Sequence, residues 1–203
     1  KQVNKCERNV SLGYNQYIRW KENEVDYEIL LKEKGAMNYG IFDKTGENSF
    51  ILENLENNKD YCAKVRVRNR QSGFTTTSNE VCFRTEFIEY PDSIYLRTVT
   101  VDEDISDLKL KWQIDYQGDI NVFKIYRKEI EGQFMELASI NYDGSLVYSY
   151  DDISANINSN RYSYYVSLVN ICGDERSASN ISGNILLKKE KYENGNFIEW
   201  NKY

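Results

Sequence analysis

The sequence predicts an all-β protein built as two tandem antiparallel β-sandwiches, and three observations carry that expectation. First, β-branched and aromatic residues, including 17 tyrosines, fall into short runs that alternate with polar residues. Second, Asn-Asn, Asn-Gly, Ser-Gly and Asp-Gly steps separate these runs at close spacing, while proline occurs only once and helical periodicity is hard to find. Third, the pattern occurs twice in 203 residues, a length that suits two domains of about 100 residues each.

Taken in order, Leu12-Gly13-Tyr14 and Tyr27-Glu28-Ile29 read as early strands. Tyr61 to Arg68 is the clearest strand: Tyr61, Ala63, Val65 and Val67 share one face, and Lys64, Arg66 and Arg68 share the other. A turn is expected near Ser72–Gly73, with a return strand through Cys82. The second copy follows at a shift of 101 residues, from Tyr61 to Tyr162. Val65 then meets Val166, Asn69 meets Asn170, and Ser78-Asn79 meets Ser179-Asn180. Upstream, Tyr27-Glu28-Ile29 meets Phe123-Lys124-Ile125, and Leu12-Gly13-Tyr14 meets Leu110-Lys111-Trp112. The boundary is placed in Glu86–Asp92, around Pro91, giving domains at 1–86 and 87–189. Residues 190–203 read as the start of a truncated third copy, because Trp200-Asn201-Lys202-Tyr203 lines up with Tyr14-Asn15-Gln16-Tyr17. Asn194-Gly195 suits a type I′ turn joining a Leu186–Tyr192 strand to Phe197–Trp200.

Composition excludes several functions. There is no histidine, so Ser–His–Asp and Cys–His nucleophile systems and His-ligated metals are ruled out. A net charge of −6 and a pI near 5.0 argue against a nucleic-acid surface, which needs clustered Lys and Arg. No apolar run reaches the ~18–20 residues that span a bilayer, and no signal peptide is seen at Lys1. Direct membrane insertion is not expected, and the chain reads as an excerpt. Carboxylates are plentiful, but no pair stands in an apolar setting that would tune it for acid–base work. No enzyme activity and no organic cofactor are expected.

These units resemble fibronectin type III domains, of the immunoglobulin-like class. Leu55-Glu56-Asn57-Asn58-Lys59-Asp60-Tyr61 is similar to the family's E–F corner, with a leucine six positions ahead of a tyrosine whose hydroxyl returns to the backbone upstream. Leu110-Lys111-Trp112 and Ile198-Glu199-Trp200 match the strand-B pattern of an aliphatic followed two residues later by an aromatic, and Leu12-Gly13-Tyr14 matches it with tyrosine. The family's E–F proline is replaced by Asn57, and the second corner, from Ile153 to Tyr162, matches poorly. Phe123 to Lys128 and Val169 to Ser177 resemble repeats found beside gliding-motility-associated domains of Bacteroidetes-type surface proteins. That resemblance implies an extracellular or cell-surface, outer-membrane-associated location. It also implies roles in adhesion, gliding motility or envelope assembly, with other domains of the same chain or other surface proteins as partners.

Four cysteines allow three pairings. With the hairpin turning at Ser72–Gly73, Cys62 and Cys82 fall opposite each other on the outward face, a geometry that suits a disulfide and an oxidising compartment. In a type III topology Cys6 lies beside the A–B turn of the first unit, and Cys172 in the F–G loop of the second. The two are expected to bridge across the junction, closing a loop from 6 to 172. Free thiols, or bridges to neighbouring copies, remain the alternatives.

Other candidates are weaker in pattern. The acidic groups Asp102-Glu103-Asp104 and Asp151-Asp152 lie at one end of such a sandwich, where Asp102, Asp104, Asp151 and Asp152 are candidate oxygen ligands for Ca²⁺. Trp20, Tyr39 and Tyr95 are candidate exposed rings for a carbohydrate platform, against the plainer reading of cross-strand packing. Asn9-Val10-Ser11 and Asn180-Ile181-Ser182 match the glycosylation sequon. The leading reading is a non-catalytic spacer or interaction segment of a longer bacterial surface or secreted protein. The alternative is a binding module for carbohydrate or a protein ligand.

Overall fold

A computed structural model describes residues 1–18, 20–21, 24–102, 107–192 and 195–201. Among these residues there is no α-helix, and the chain divides into two compact units, Lys1–Ile88 and Glu89–Tyr203. The division falls two residues beyond the expected one. Phe87 is the cause: it is buried in the first unit's core, and its backbone N–H donates to the Asn57 side chain at 2.7 Å.

In unit 1 the strands β1 (Gln2–Asn4), β2 (Asn9–Gly13) and β5 (Ser49–Leu52) form one antiparallel sheet in the order β1-β2-β5. The facing sheet has the order β4-β3-β6-β7, made from β3 (Val25–Glu33), β4 (Gly40–Thr45), β6 (Asp60–Asn69) and β7 (Thr75–Thr77). The last strand, β8 (Val81–Arg84), also pairs with β6. Alternation along each strand sends one set of side chains inward. Val10, Leu12, Tyr27, Ile29, Leu52 and Val67 are among those that meet there.

Unit 2 repeats the plan. One sheet has the order β13-β10-β9, from β9 (Ile94–Val101), β10 (Leu108–Ile114) and β13 (Val147–Asp152). The other has the order β12-β11-β14-β15, from β11 (Ile120–Glu129), β12 (Met135–Asn141), β14 (Tyr162–Asn170) and β15 (Glu175–Ala178), with β16 (Ser182–Gly183) also paired to β14. Trp112 is the largest fully buried side chain; its ring stacks on Tyr148 at 5.7 Å and meets Phe123 edge-on at 5.8 Å.

The repeat holds at the level of individual bonds. Tyr27 pairs with Val67 and Ile29 with Val65, while Phe123 pairs with Leu168 and Ile125 with Val166. A β-bulge follows Ile29 in one unit and Ile125 in the other, at the same repeat position. Ser78 exchanges hydrogen bonds with the Val65 backbone just as Ser179 does with Val166.

The second tyrosine corner corrects the sequence expectation. The Tyr61 hydroxyl accepts from the Glu56 N–H at 3.2 Å, and the Tyr162 hydroxyl accepts from the Asn156 N–H at 3.0 Å. Ile153 is exposed, and Ala155 and Ile157 pack on the core in place of a single leucine like Leu55. A separate hairpin pairs β17 (Leu187–Tyr192) with β18 (Gly195–Trp200), Tyr192 facing Gly195. Asn194, expected in its turn, lies outside the described residues.

Truncating Trp112 to alanine is expected to destabilise unit 2 by about 4 kcal/mol, the range for deleting a fully buried large aromatic. Urea denaturation followed at a probe in unit 2 checks this, and a loss below about 1 kcal/mol would contradict the packing described.

Candidate functional site

Cys62 on β6 and Cys82 on β8 are register partners and are joined by a disulfide, with Cα atoms 4.0 Å apart. The bridge lies on the face away from the core, as the alternation requires, yet Cys62 itself is buried. Its neighbours explain the difference. On β6 it is flanked in register by Lys32 on one side and Cys82 on the other, and those side chains cover it. Neither Cys6 nor Cys172 is a free thiol; all four cysteines are disulfide-bonded. These disulfides fit an oxidising environment.

The acidic candidates come together only in part, and around a protein cation. Lys109 on β10 places its ammonium 2.5 Å from Asp102 and 3.7 Å from Asp151, so the charge between these carboxylates is a lysine. Asp102 and Asp151 hold Lys109 in its ammonium form, raising its pKa, chiefly through the hydrogen bond with Asp102. Asp152 turns away from them. It is buried, 2.7 Å from the Arg127 guanidinium, and it accepts from the Tyr164 hydroxyl at 2.8 Å and the Ser154 hydroxyl at 2.7 Å. Burial pushes its pKa up, but the bonds from Ser154, Tyr164 and Arg127 outweigh that, leaving it below the usual carboxylate range. Asp104 lies outside the described residues. Among the described residues, Asp102 and Asp151 share the ion pair with Lys109, and Asp152 belongs to a separate buried cluster.

The aromatic candidates also separate. Trp20 is partly buried against the unit 1 core and packs on Tyr17 at 4.6 Å. Tyr39 is capped by the Lys32 and Lys64 ammonium groups, each 4.8 Å from its ring, and its hydroxyl donates to Glu80. Burial, then that bond to a carboxylate, push the Tyr39 pKa up to about 12. Neither ring is a free platform. Tyr95 in unit 2 is exposed, beside a 230 Å³ surface groove lined by Arg97, Arg161, Ser163 and Asn180. The Asn180 sequon is committed internally: its amide bonds the Leu96 backbone.

Sequence reading missed an outer-face aromatic group in unit 2. Tyr126 and Tyr165 are register partners and stack at 4.6 Å, with Phe134 edge-on to Tyr165 at 4.8 Å. The Tyr126 hydroxyl donates to Glu175 at 2.9 Å, and Glu175 also takes the Ser167 hydroxyl and lies 3.5 Å from the Lys124 ammonium. The Tyr164-Tyr165 doublet carries the signal, since alternation must send one ring inward and the other out.

Asp152→Ala is expected to cost about 3 kcal/mol, because Arg127 and Tyr164 lose the carboxylate that satisfies them. The same residue links stability to pH. Its folded pKa is depressed, so its contribution is fully present above the unfolded value near 3.9 and is lost as pH falls below that. Denaturation between pH 7 and pH 3 checks this: the difference between the native chain and Asp152→Asn should narrow on acidification.

No protein-family model and no curated protein matches the chain. Among solved structures it is similar to the chicken CNTN1 FN1–FN3 domains, at 12% identity and a TM-score of 0.41, over 88% of this chain and 62% of that one. It is also similar to a two fibronectin type III domain segment of chicken tenascin, at 12% identity and a TM-score of 0.35, over 89% of this chain and 93% of that one. The strand orders β1-β2-β5 against β4-β3-β6-β7, and β9-β10-β13 against β12-β11-β14-β15, give both units the fibronectin type III fold.

Proposed function

We propose that the chain is a non-catalytic segment of a longer bacterial surface or secreted protein, in which successive sandwiches space or present other parts. The observation that carries this reading is the β17–β18 hairpin. Leu187 pairs with Trp200 as Leu96 pairs with Trp112, and Ile198 stands where Leu110 does. Leu96, Leu110 and Trp112 are buried, whereas Leu187, Ile198 and Trp200 are exposed. An A–B hairpin with its core face open is what the first strands of a third unit present. The finer expectations belong to the same proposal: a cell-surface, outer-membrane-associated location, a role in adhesion, gliding motility or envelope assembly, and partners among neighbouring domains and other surface proteins. A carbohydrate-binding reading keeps Tyr95 as its one exposed candidate ring.

The test is mechanical. With Cys6 and Cys172 replaced by serine, pulling from both ends is expected to give two discrete unfolding events. Reduction should lengthen the unit 1 event by about 70 Å, the span of the 20 residues locked between Cys62 and Cys82. A single cooperative event covering both units would overturn the spacer reading.

The expected Cys6–Cys172 bridge is also kept as a proposal, supported by the absence of free thiols. Non-reducing peptide mapping checks it: one linked peptide pair should contain both cysteines, and a bridge from either to another molecule would dispose of it.

A further inference from the structure

A carboxylate is aimed at the Cys62–Cys82 bridge. Glu80 stands just ahead of β8 and, two residues before Cys82, shares its outward face. One Glu80 oxygen, Oε2, lies 3.6 Å from the Cys82 Sγ. A bridged sulfur carries no proton, so that oxygen finds no donor there. The other oxygen, Oε1, is fully engaged. It accepts from the Tyr39 hydroxyl, and the Lys32 and Lys64 ammonium groups lie 4.0 and 3.8 Å from it. Both ammonium groups also cap the Tyr39 ring, so three side chains fix Glu80 with Oε2 turned to the sulfur. The Tyr39 bond, against the pull of desolvation, holds Glu80 below the usual carboxylate range, and it is ionised at neutral pH.

The spacing is that of a metal site. The two sulfurs and a Glu80 oxygen all lie within 4.8 Å of one another. Among the described residues no other three cysteine, aspartate or glutamate side chains converge so closely. Tetrahedral zinc, with Zn–S of about 2.3 Å and Zn–O of about 2.0 Å, sets sulfur and oxygen roughly 3.5 Å apart and two sulfurs roughly 3.8 Å apart. The 3.6 Å between Glu80 and Cys82 already meets the first requirement. Small rotations about the Cα–Cβ bonds meet the second once the sulfurs are unbonded, because Cys62 and Cys82 are register partners on one face.

We propose that Cys62, Cys82 and Glu80 bind one Zn²⁺ when a dithiol reductant opens the bridge, and that the ion then replaces the disulfide as the link between β6 and β8. In the first step the S–S bond takes two electrons and two protons from the dithiol, which closes to its own disulfide. In the second, two S–H bonds break, two Zn–S bonds form, and both protons go to water. A water molecule fills the fourth position. Lys32, paired in register with Cys62, and Lys64 favour the thiolates. Tyr39 and both lysines act from behind, orienting the carboxylate as the outer partners of metal ligands do. Unit 2 has Ser163 and Gly183 at the matching pair, so the site belongs to unit 1.

The test uses the full chain with Cys6→Ser and Cys172→Ser, reduced by a phosphine that is then removed without air. Zinc competition against a chromophoric chelator is expected to show one ion bound per reduced chain and none per oxidised chain, with two protons released. Cadmium in place of zinc should bring the ultraviolet band of metal–thiolate charge transfer. Glu80→Gln should weaken zinc binding about tenfold or more, and Tyr39→Phe by a smaller factor. Zinc should also raise the urea midpoint of the reduced chain. Equal uptake by the oxidised chain would overturn the proposal, as would no uptake by the reduced one. Uptake indifferent to Glu80→Gln would overturn it too, since two thiols in a loosened chain would give that result.

Discussion

The pairing of the third strand of each unit with the sixth, β3 with β6 and β11 with β14, is the constraint on which everything else depends. It sets Ile29 against Val65 and Ile125 against Val166, and from that register every other feature takes its position. A slip of one residue would turn the buried faces of both strands to solvent. The tyrosines that begin β6 and β14, in or next to their first paired residues, anchor it from outside, because each hydroxyl holds the backbone five or six residues upstream. The serines at 78 and 179 anchor it from the other side, by interrupting the last strand so that its second half re-registers.

What alternation encodes was legible in the sequence, and what it does not encode was not. The faces of β6 and β14, the two-fold repeat and the opposition of Cys62 to Cys82 all follow from a period of two and a turn near Gly73. The partners of outward polar residues do not, since they depend on which strands lie alongside. Lys109 reaches Asp102 and Asp151 because β10 lies between β9 and β13, a neighbourhood that the acidic runs alone do not reveal. Asp151 and Asp152 read alike in sequence, yet adjacent residues on a strand point to opposite faces, and one became a buried acceptor while the other stayed exposed. The second tyrosine corner matches the motif poorly because Ala155 and Ile157 share the packing role that a single leucine, Leu55, has in the first.

The two units solve one problem by different means. Cys62 and Cys82 in unit 1 stand where Ser163 and Gly183 stand in unit 2, each pair in register across the same two strands. A side chain larger than hydrogen at Gly183 would run into the Tyr162 carbonyl, so unit 2 has no room for a second cysteine there. Unit 2 instead concentrates Trp112, Phe123 and Tyr148 in its core and ties its two sheets together through Arg127, Asp152 and Tyr164.

This division bears on where such a segment can work. A covalent cross-link across a 20-residue separation lowers the entropy of the unfolded chain, a stabilisation on the order of 3 kcal/mol that exists only where thiols stay oxidised. Unit 1 has a tyrosine, Tyr14, where unit 2 has Trp112, and carries the covalent link that unit 2 lacks at the matching pair. Unit 2 gains its equivalent from aromatic packing and a buried charge cluster, whose carboxylate Asp152 couples it to pH. The Cys62–Cys82 link ties the last strand of unit 1 to β6, so a reducing environment removes that stabilisation from the first sandwich.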